Sequence, residues 1–361
     1  MAHFNIPVFI PHLGCPFQCI FCNQQKITAV HHTASAKEVE NIITTALKTL
    51  PCDREAEAAF FGGSFTAINK EIQQFYLDLV KPYLAEGALS GIRISTRPDF
   101  IDREELEFLL AAGVTTIELG VQSLDDHVLA ASGRGYESRI VTQAVKLIRQ
   151  YPFQLGIQLM IGLPEDHIAA DLETATKTIA FKPDMVRIYP TLVIEDTPLA
   201  AMYKAGKYQP LSLQEAIEIS MQMYLRFQQN HINVIRMGLH ADEELTQGTN
   251  ILAGPFHPGF GELVQQEIYK QQAALALKEL LSGKKNIKQI ALFANQRDIS
   301  KLVGFRRSNI AYWKQVFELE EVTVRPDGSL SKDTVLVCDP RSLFPPLEVT
   351  RQEFIKSFLA Q

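Results

Sequence analysis

Cysteine is scarce in this chain, at five in 361 residues, and tryptophan occurs once. Cys52 and Cys338 stand alone, too few and too scattered for a disulfide framework or a second metal cluster, and they read as small buried apolar residues. No uninterrupted apolar run is long enough to span a bilayer, and no basic segment precedes a signal-like apolar one. The expectation is a cytoplasmic protein with no membrane partner, in a compartment where thiols stay reduced and free to bind metal. An excess of positive charge is also missing. The formal net charge is −6, so nothing draws the whole chain toward nucleic acid, and any RNA contact needs a local basic patch. The 46% hydrophobic and 21% charged residues describe a globular protein with a large core, and the length suits one α/β barrel with an appendage.

The other three cysteines crowd into His12-Leu13-Gly14-Cys15-Pro16-Phe17-Gln18-Cys19-Ile20-Phe21-Cys22-Asn23, a C-x3-C-x2-C spacing. Three thiolates this close can hold an iron–sulfur cube by three corners, because Cys sulfur is the soft ligand that such iron prefers. The fourth iron then stays open, which marks a reactive site and leaves room to chelate the amino and carboxylate groups of S-adenosylmethionine. A Cys3His zinc site completed by His12, or cysteines that are merely buried, are the competing readings. Zinc sites usually pair C-x2-C with a second ligand pair far along the chain, and the sequence offers none.

The spacing, with aromatic Phe21 just before the last cysteine, resembles the radical S-adenosylmethionine superfamily. The resemblance implies a [4Fe-4S] cluster on Cys15, Cys19 and Cys22, S-adenosyl-L-methionine as the second cofactor, and a low-potential electron donor such as flavodoxin or ferredoxin. In that family one electron splits the sulfonium and yields a 5′-deoxyadenosyl radical, with Phe21 expected near the adenine.

Short apolar runs at Pro7–Pro11, Ala58–Phe61, Ile92–Thr96, Thr116–Val121, Leu155–Ile161 and Met185–Tyr189 alternate with stretches of helical periodicity. These are Lys37–Leu50, Lys70–Leu84, Arg103–Ala112, Ser138–Arg149 and Ala169–Ala180. The pattern predicts an α/β fold, a partial (β/α)6 TIM-like barrel over residues 1–240, with chemistry at the carboxyl ends of the strands. Residues 241–361 are expected to form a small C-terminal α+β domain.

The strand ends carry the special residues. Gly62-Gly63-Ser64 follows the second strand, where glycines let backbone approach a ligand, and looks like the family stretch that meets the methionine amino group, with Ser64 in place of the usual acid. The third strand ends Ser95-Thr96-Arg97-Pro98-Asp99, with Arg97 readable also as a surface ion pair. Gln122, in Gly120-Val121-Gln122-Ser123, and Arg134, in Ser132-Gly133-Arg134-Gly135, resemble cofactor-touching residues of oxygen-independent coproporphyrinogen oxidases. Arg134 would suit the methionine carboxylate. In those enzymes acids stand where Thr96 and Gln158 stand here, and amides or hydroxyls can also bond a ribose.

Arg187-Ile188-Tyr189-Pro190-Thr191-Leu192-Val193-Ile194, followed by Thr197, Leu199, Tyr203, Gly206 and Tyr208, resembles the radical domain of the Elongator catalytic subunit, which modifies tRNA wobble uridines. The resemblance makes tRNA a possible partner. Two features depart from that enzyme: the cysteine spacing is more compact, and the last hundred residues show no glycine loop for acetyl-CoA. The turn-rich Gly254–Glu262 stretch offers His257 and Glu262 as further candidates. Glu321–Arg325 and Thr334–Cys338 are expected to form a hairpin about Pro326-Asp327-Gly328. Lys301, Arg306, Arg307 and Lys314, with Tyr312 and Trp313 interleaved, read as a solvated face or as an RNA contact. Beside a tRNA-modifying radical enzyme stand two alternatives, a coproporphyrinogen-oxidase-like enzyme on a small metabolite or tetrapyrrole, and a non-enzymatic cluster- or haem-binding protein.

Overall fold

The computed structural model describes residues 2–10, 13–15, 19–23, 26, 33–51, 54–239, 250–283, 287–341 and 345–360. His12, Cys52 and the expected domain boundary at residue 240 lie outside them. The chain divides into two compact units, residues 1–216 with 232–258, and residues 217–231 with 259–361.

The first unit is built on strands β1 (Ala2–Phe9), β2 (Arg54–Phe61), β3 (Gly91–Thr96), β4 (Val114–Gln122), β5 (Gln154–Ile161) and β6 (Met185–Pro190). A short β7 (Val193–Ile194) precedes β8 (Asn233–Met237) and pairs antiparallel with β9 (Ile251–Ala253). The main sheet runs β1-β2-β3-β4-β5-β6-β8, every pairing parallel. It is the curled sheet of a partial TIM barrel. All six expected strands are present. The seventh, β8, was not expected, because Asn233-Val234-Ile235-Arg236-Met237 breaks its apolar run with polar residues. The first strand begins at Ala2 rather than Pro7, and Pro7 is tolerated there because β1 is an edge strand.

Helices α1 (Ala36–Thr49), α2 (Lys70–Ala85), α3 (Arg103–Ala111), α4 (Asp126–Ala131), α5 (Ser138–Ile148) and α6 (Ile168–Ala180) fill the connections. Most start at a polar side chain that accepts from a first-turn N–H. Ser35 and Glu38 form a capping box, Asn69 and Asp102 cap α2 and α3, and Asp125 caps the short α4 that periodicity had missed. The apolar alternates of the strands, such as Ile92, Ile94, Ile117, Leu119, Leu155 and Ile157, are almost fully buried. Phe60 belongs to this set and meets Tyr76 of α2 at 5.6 Å, which marks the helix-covered face.

The opposite, inner face carries buried charge. Arg93 donates to Glu57 through Nε at 2.9 Å and to Glu118 through Nη1 at 2.7 Å. Arg187 shares that carboxylate, with Nη2 at 3.0 Å from the same Oε1 and Nε at 2.9 Å from Oε2. Glu57 also accepts from Thr115 and Thr116 at 2.6 and 2.8 Å. Burial opposes its charge, yet Arg93 and the two threonines hold its carboxyl below the usual range. Gly156 makes room for this ladder, since a Cβ there would stand 2.7 Å from Glu118 Cγ.

In the second unit, after α7 (Pro198–Lys204) of the first, lie α8 (Leu213–Gln229) from Ile217 onward and α9 (Phe260–Leu281). They are followed by β10 (Gln289–Ala294), α10 (Ile299–Val303), α11 (Ser308–Val316), β11 (Glu321–Pro326), β12 (Thr334–Cys338), β13 (Leu347–Thr350) and α12 (Arg351–Leu359). Its sheet runs β11-β10-β12-β13. The expected hairpin does not form. β10 lies between β11 and β12, parallel to the first and antiparallel to the second, because its wholly apolar Ile290-Ala291-Leu292 run takes the centre. Trp313 is likewise a core residue, fully buried with Nε1 donating to the Lys270 carbonyl at 3.1 Å, and is withdrawn from any stacking role.

Removing one member of a buried charge pair strands its partners, at a cost of about 3–5 kcal/mol. Glu118→Ala would strand Arg187 and leave Arg93 with Glu57 alone, so it should lower stability by about that order in chemical denaturation followed by circular dichroism. A loss under about 1 kcal/mol would show that the two arginines find other partners.

Candidate functional site

The cysteine loop leaves the carboxyl end of β1 and locks against the loop after β2. Ser64 N donates to the Leu13 carbonyl at 3.0 Å. A Cβ on Gly14, whose φ is +75°, would fall 2.3 Å from the Ser64 carbonyl oxygen, and one on Gly63 would fall 2.3 Å from that of Leu13. Both positions therefore need glycine for loop to meet loop. Cys19 and Cys22 sit in one turn, with Cys22 N on the Cys19 carbonyl at 3.0 Å. Ile20 pins that turn through its N–H to Ser132 and its carbonyl to Leu199, at 3.2 and 2.9 Å.

Cys19 is buried, while Cys15 and Cys22 are half-buried. Two buried guanidiniums face Cys19: Arg134 Nη1 donates to its Sγ at 3.1 Å, and Arg97 Nη1 stands 4.0 Å away. Arg97 is no surface ion pair. It grips both carboxylate oxygens of Asp99 at 2.9 and 2.8 Å and donates to the Arg134 carbonyl at 2.6 Å. The Tyr136 ring lies 5.1 Å from each guanidinium, and its hydroxyl bonds Arg134 at 2.7 Å and the Gly120 carbonyl at 3.1 Å.

Burial and the neighbouring thiols push Cys22 up to about 12. Burial and Cys19 also raise Cys15, against the pull of Arg97 and Arg134. Burial works against the charge of Arg134, yet Tyr136 and Cys19 hold its pKa above the ordinary value. Raised thiols such as Cys15 and Cys22 give up their protons when a cation joins them, as metal ligation requires. Among the described residues no three His, Cys, Asp or Glu side chains close around a single-ion point. Three soft sulfurs on one short loop, next to the buried guanidiniums of Arg134 and Arg97, are the donor set of an iron–sulfur cluster, so the residues fit the group.

The remaining expected positions fall into three sets. Gln122 and Gln158 meet on the inner face, Gln158 Nε2 donating to Gln122 Oε1 at 3.2 Å, with Gln122 at φ +72° where β4 bulges. Phe21 packs on the cluster of Val128 from α4 with Met160 and Leu163 from the end of β5, and Tyr189 of β6 packs on the same cluster. Ser64 and Thr96, by contrast, are buried together. Their hydroxyls are 3.1 Å apart, and Thr96 is 2.6 Å from Thr66, on the face that Ile92 and Ile94 share. The inner-face neighbour is Ser95, which alternation with Arg93 could have revealed. His257 lies in the first unit, and Glu262 in the first turn of α9 of the second.

Sequence reasoning also missed a pair of acids after β5. Asp171 is buried beside the half-buried Asp166; burial raises both, and their interaction raises Asp171 further and lowers Asp166. Asp171 is therefore the member that keeps a proton to the higher pH, and the pair titrates as a unit. A carboxyl raised in the folded state contributes stability fully below about pH 4, its unfolded pKa, and loses it as pH rises toward the folded value. Stability should therefore fall as pH rises from 5 to 9, and Asp171→Asn should flatten that slope in thermal melts. An unchanged slope would show that the pair is solvated.

The Radical SAM superfamily profile matches residues 9–175, and that of the Radical_SAM C-terminal domain matches 183–270. The tRNA uridine(34) acetyltransferase of Methanocaldococcus jannaschii is 37% identical over 138 residues, covering 37% of this chain and 26% of its own length. Its Methanocaldococcus infernus counterpart is 37% identical over 189 residues, 47% of this chain and 35% of the relative. Elongator complex protein 3 of Bos taurus is 30% identical over 185 residues, 46% of this chain and 34% of that one. The chain thus spans about a quarter to a third of these relatives. The solved structure of Methanocaldococcus infernus Elp3 with an N-terminal deletion aligns with a TM-score of 0.60 at 24% identity, covering 75% of this chain and 63% of that one, which shows a shared fold. With its sheet, its cysteine loop and both profiles in agreement, the chain belongs to the radical S-adenosylmethionine superfamily, and its radical domain is similar to that of Elongator complex protein 3.

Proposed function

We propose that this radical S-adenosylmethionine enzyme acts on tRNA, with Cys15, Cys19 and Cys22 as the ligands of its [4Fe-4S] cluster. The observation that supports the site most strongly is the gathering of the three sulfurs at the end of β1, beside Arg134 and Arg97. When bound, the cluster and S-adenosylmethionine supply the one-electron reductive cleavage that lets a carbon radical take hydrogen from a substrate.

This chain's residues do the rest. Gln122 and Gln158, already turned to each other on the inner face, offer amide donors and acceptors to a ribose. Phe21 supplies an apolar wall for the adenine, and the Gly62–Ser64 backbone borders the methionine end. Thr96 braces that loop through Ser64, and Arg134 supplies positive charge for the carboxylate. A low-potential flavodoxin or ferredoxin is the fitting electron donor. Among the described residues no helix is long and apolar enough to cross a membrane, and we assign the protein to the cytoplasm.

The tRNA reading draws on the names of the two Methanocaldococcus relatives, both tRNA uridine(34) acetyltransferases. In the second unit, Phe305, Arg306, Arg307 and Lys314 are exposed, and both arginines hold left-handed backbone at φ +50° and +63°. Lys301 instead pairs with Asp298 at 3.1 Å, and Tyr312 lies against Lys270. Arg306→Ala with Arg307→Ala should weaken tRNA binding and flatten its log–log salt dependence by roughly two phosphate contacts. Nucleoside profiles of RNA from cells lacking the protein should lose one modification. No salt-sensitive affinity of the unaltered protein for any tRNA pool would move the assignment to a small metabolite.

A further inference from the structure

Arg97 makes more contacts than a side chain that merely closes a surface turn. Asp99 holds it through two bonds, at 2.9 and 2.8 Å, so its plane is fixed. Its Nη2 donates to the Arg134 carbonyl at 2.6 Å, which fixes the backbone from which Arg134 reaches Cys19. Its Nη1 faces the same sulfur at 4.0 Å. Tyr136 lies 5.1 Å from both guanidiniums and ties the assembly to the end of β4. Both arginines are buried, so water screens neither charge from the sulfur.

We propose that Arg97, clamped by Asp99, is a positioning residue that orients Arg134 and raises the reduction potential of the cluster held at Cys19. This rests on the reading of Cys19 as a cluster ligand. One-electron reduction adds one negative charge to the cluster and takes up no proton, so donors and positive charge fixed at a ligating sulfur favour the reduced state. Asp99 supplies the opposite charge that lets Arg97 remain buried, and it stands on the far side of the guanidinium from the sulfur. Arg134 Nη1 meets the Cys19 sulfur at 3.1 Å and Arg97 Nη1 faces it at 4.0 Å, so the tuning centres on that corner.

The test is a redox titration of the reconstituted full chain with dithionite under anaerobic conditions, followed by electron paramagnetic resonance, with S-adenosylmethionine left out. Iron content of the unaltered chain is read first, and a chain that takes up no iron fails the cluster reading itself. Arg97→Gln should make reduction about tenfold less favourable, a midpoint lower by about 59 mV for one electron. Asp99→Asn should move the midpoint the same way by releasing the clamp, and Arg97→Lys should recover part of it by restoring the charge. An Arg97→Gln midpoint equal to that of the unaltered chain at equal iron content overturns the proposal. So does loss of iron in both Arg97→Gln and Asp99→Asn, which would make the arginine a requirement of assembly rather than of potential.

Discussion

Three sulfurs held side by side repel one another as thiolates, and the mouth of the first unit is arranged around that repulsion. Burial and mutual charge hold the thiols of Cys15 and Cys22 protonated in the metal-free chain. Arg134 and Arg97 supply positive charge on the protein side, and iron would supply it on the other when a cluster is bound. Each arginine in turn needs a partner to remain buried, found in Tyr136 for one and in Asp99 for the other. The residues that fix the sulfurs thus come from the ends of β1, β3 and β4, which only the parallel sheet brings together.

The same sheet carries a second layer of buried charge nearer its amino ends, where Glu57, Arg93, Glu118 and Arg187 alternate across four strands. Such ladders add little net stability when intact, yet they resist any change of one member. Their consequence here is geometric. Arg187 lies over the Phe61 ring at 5.1 Å and donates to Tyr189 at 3.3 Å, so the ladder ends in aromatic side chains close to the residues that contact Phe21. A rigid floor below a reactive mouth keeps water out and positions what binds above it.

The sequence made some of this legible and hid the rest for physical reasons. Short apolar runs and the cysteine spacing are local signals, and all six strands and the cysteine loop were read from them. The exchange of partners around β10 is not local: a turn motif such as Pro326-Asp327-Gly328 cannot show that a third strand inserts between its arms. Trp313 among basic residues looked exposed, because helical periodicity over Ser308–Val316 does not say which face meets the core. Arg97 and Asp99 stand two residues apart and read as a surface pair until burial is known. Thr96 and Ser95 could have been told apart, since alternation from Arg93 places Ser95 on the inner face.

The central claim is that Cys15, Cys19 and Cys22 hold a cluster whose remaining iron is open to S-adenosylmethionine. Mössbauer spectroscopy of the full chain, reconstituted anaerobically with isotopically enriched iron, tests it directly, because the spectrum distinguishes one iron of a cluster from the other three. The account predicts a cluster in which one iron changes its signal when S-adenosylmethionine is added, and which is lost in Cys19→Ala. Stoichiometric zinc with no iron, or a cluster in which no iron responds to S-adenosylmethionine, would contradict it.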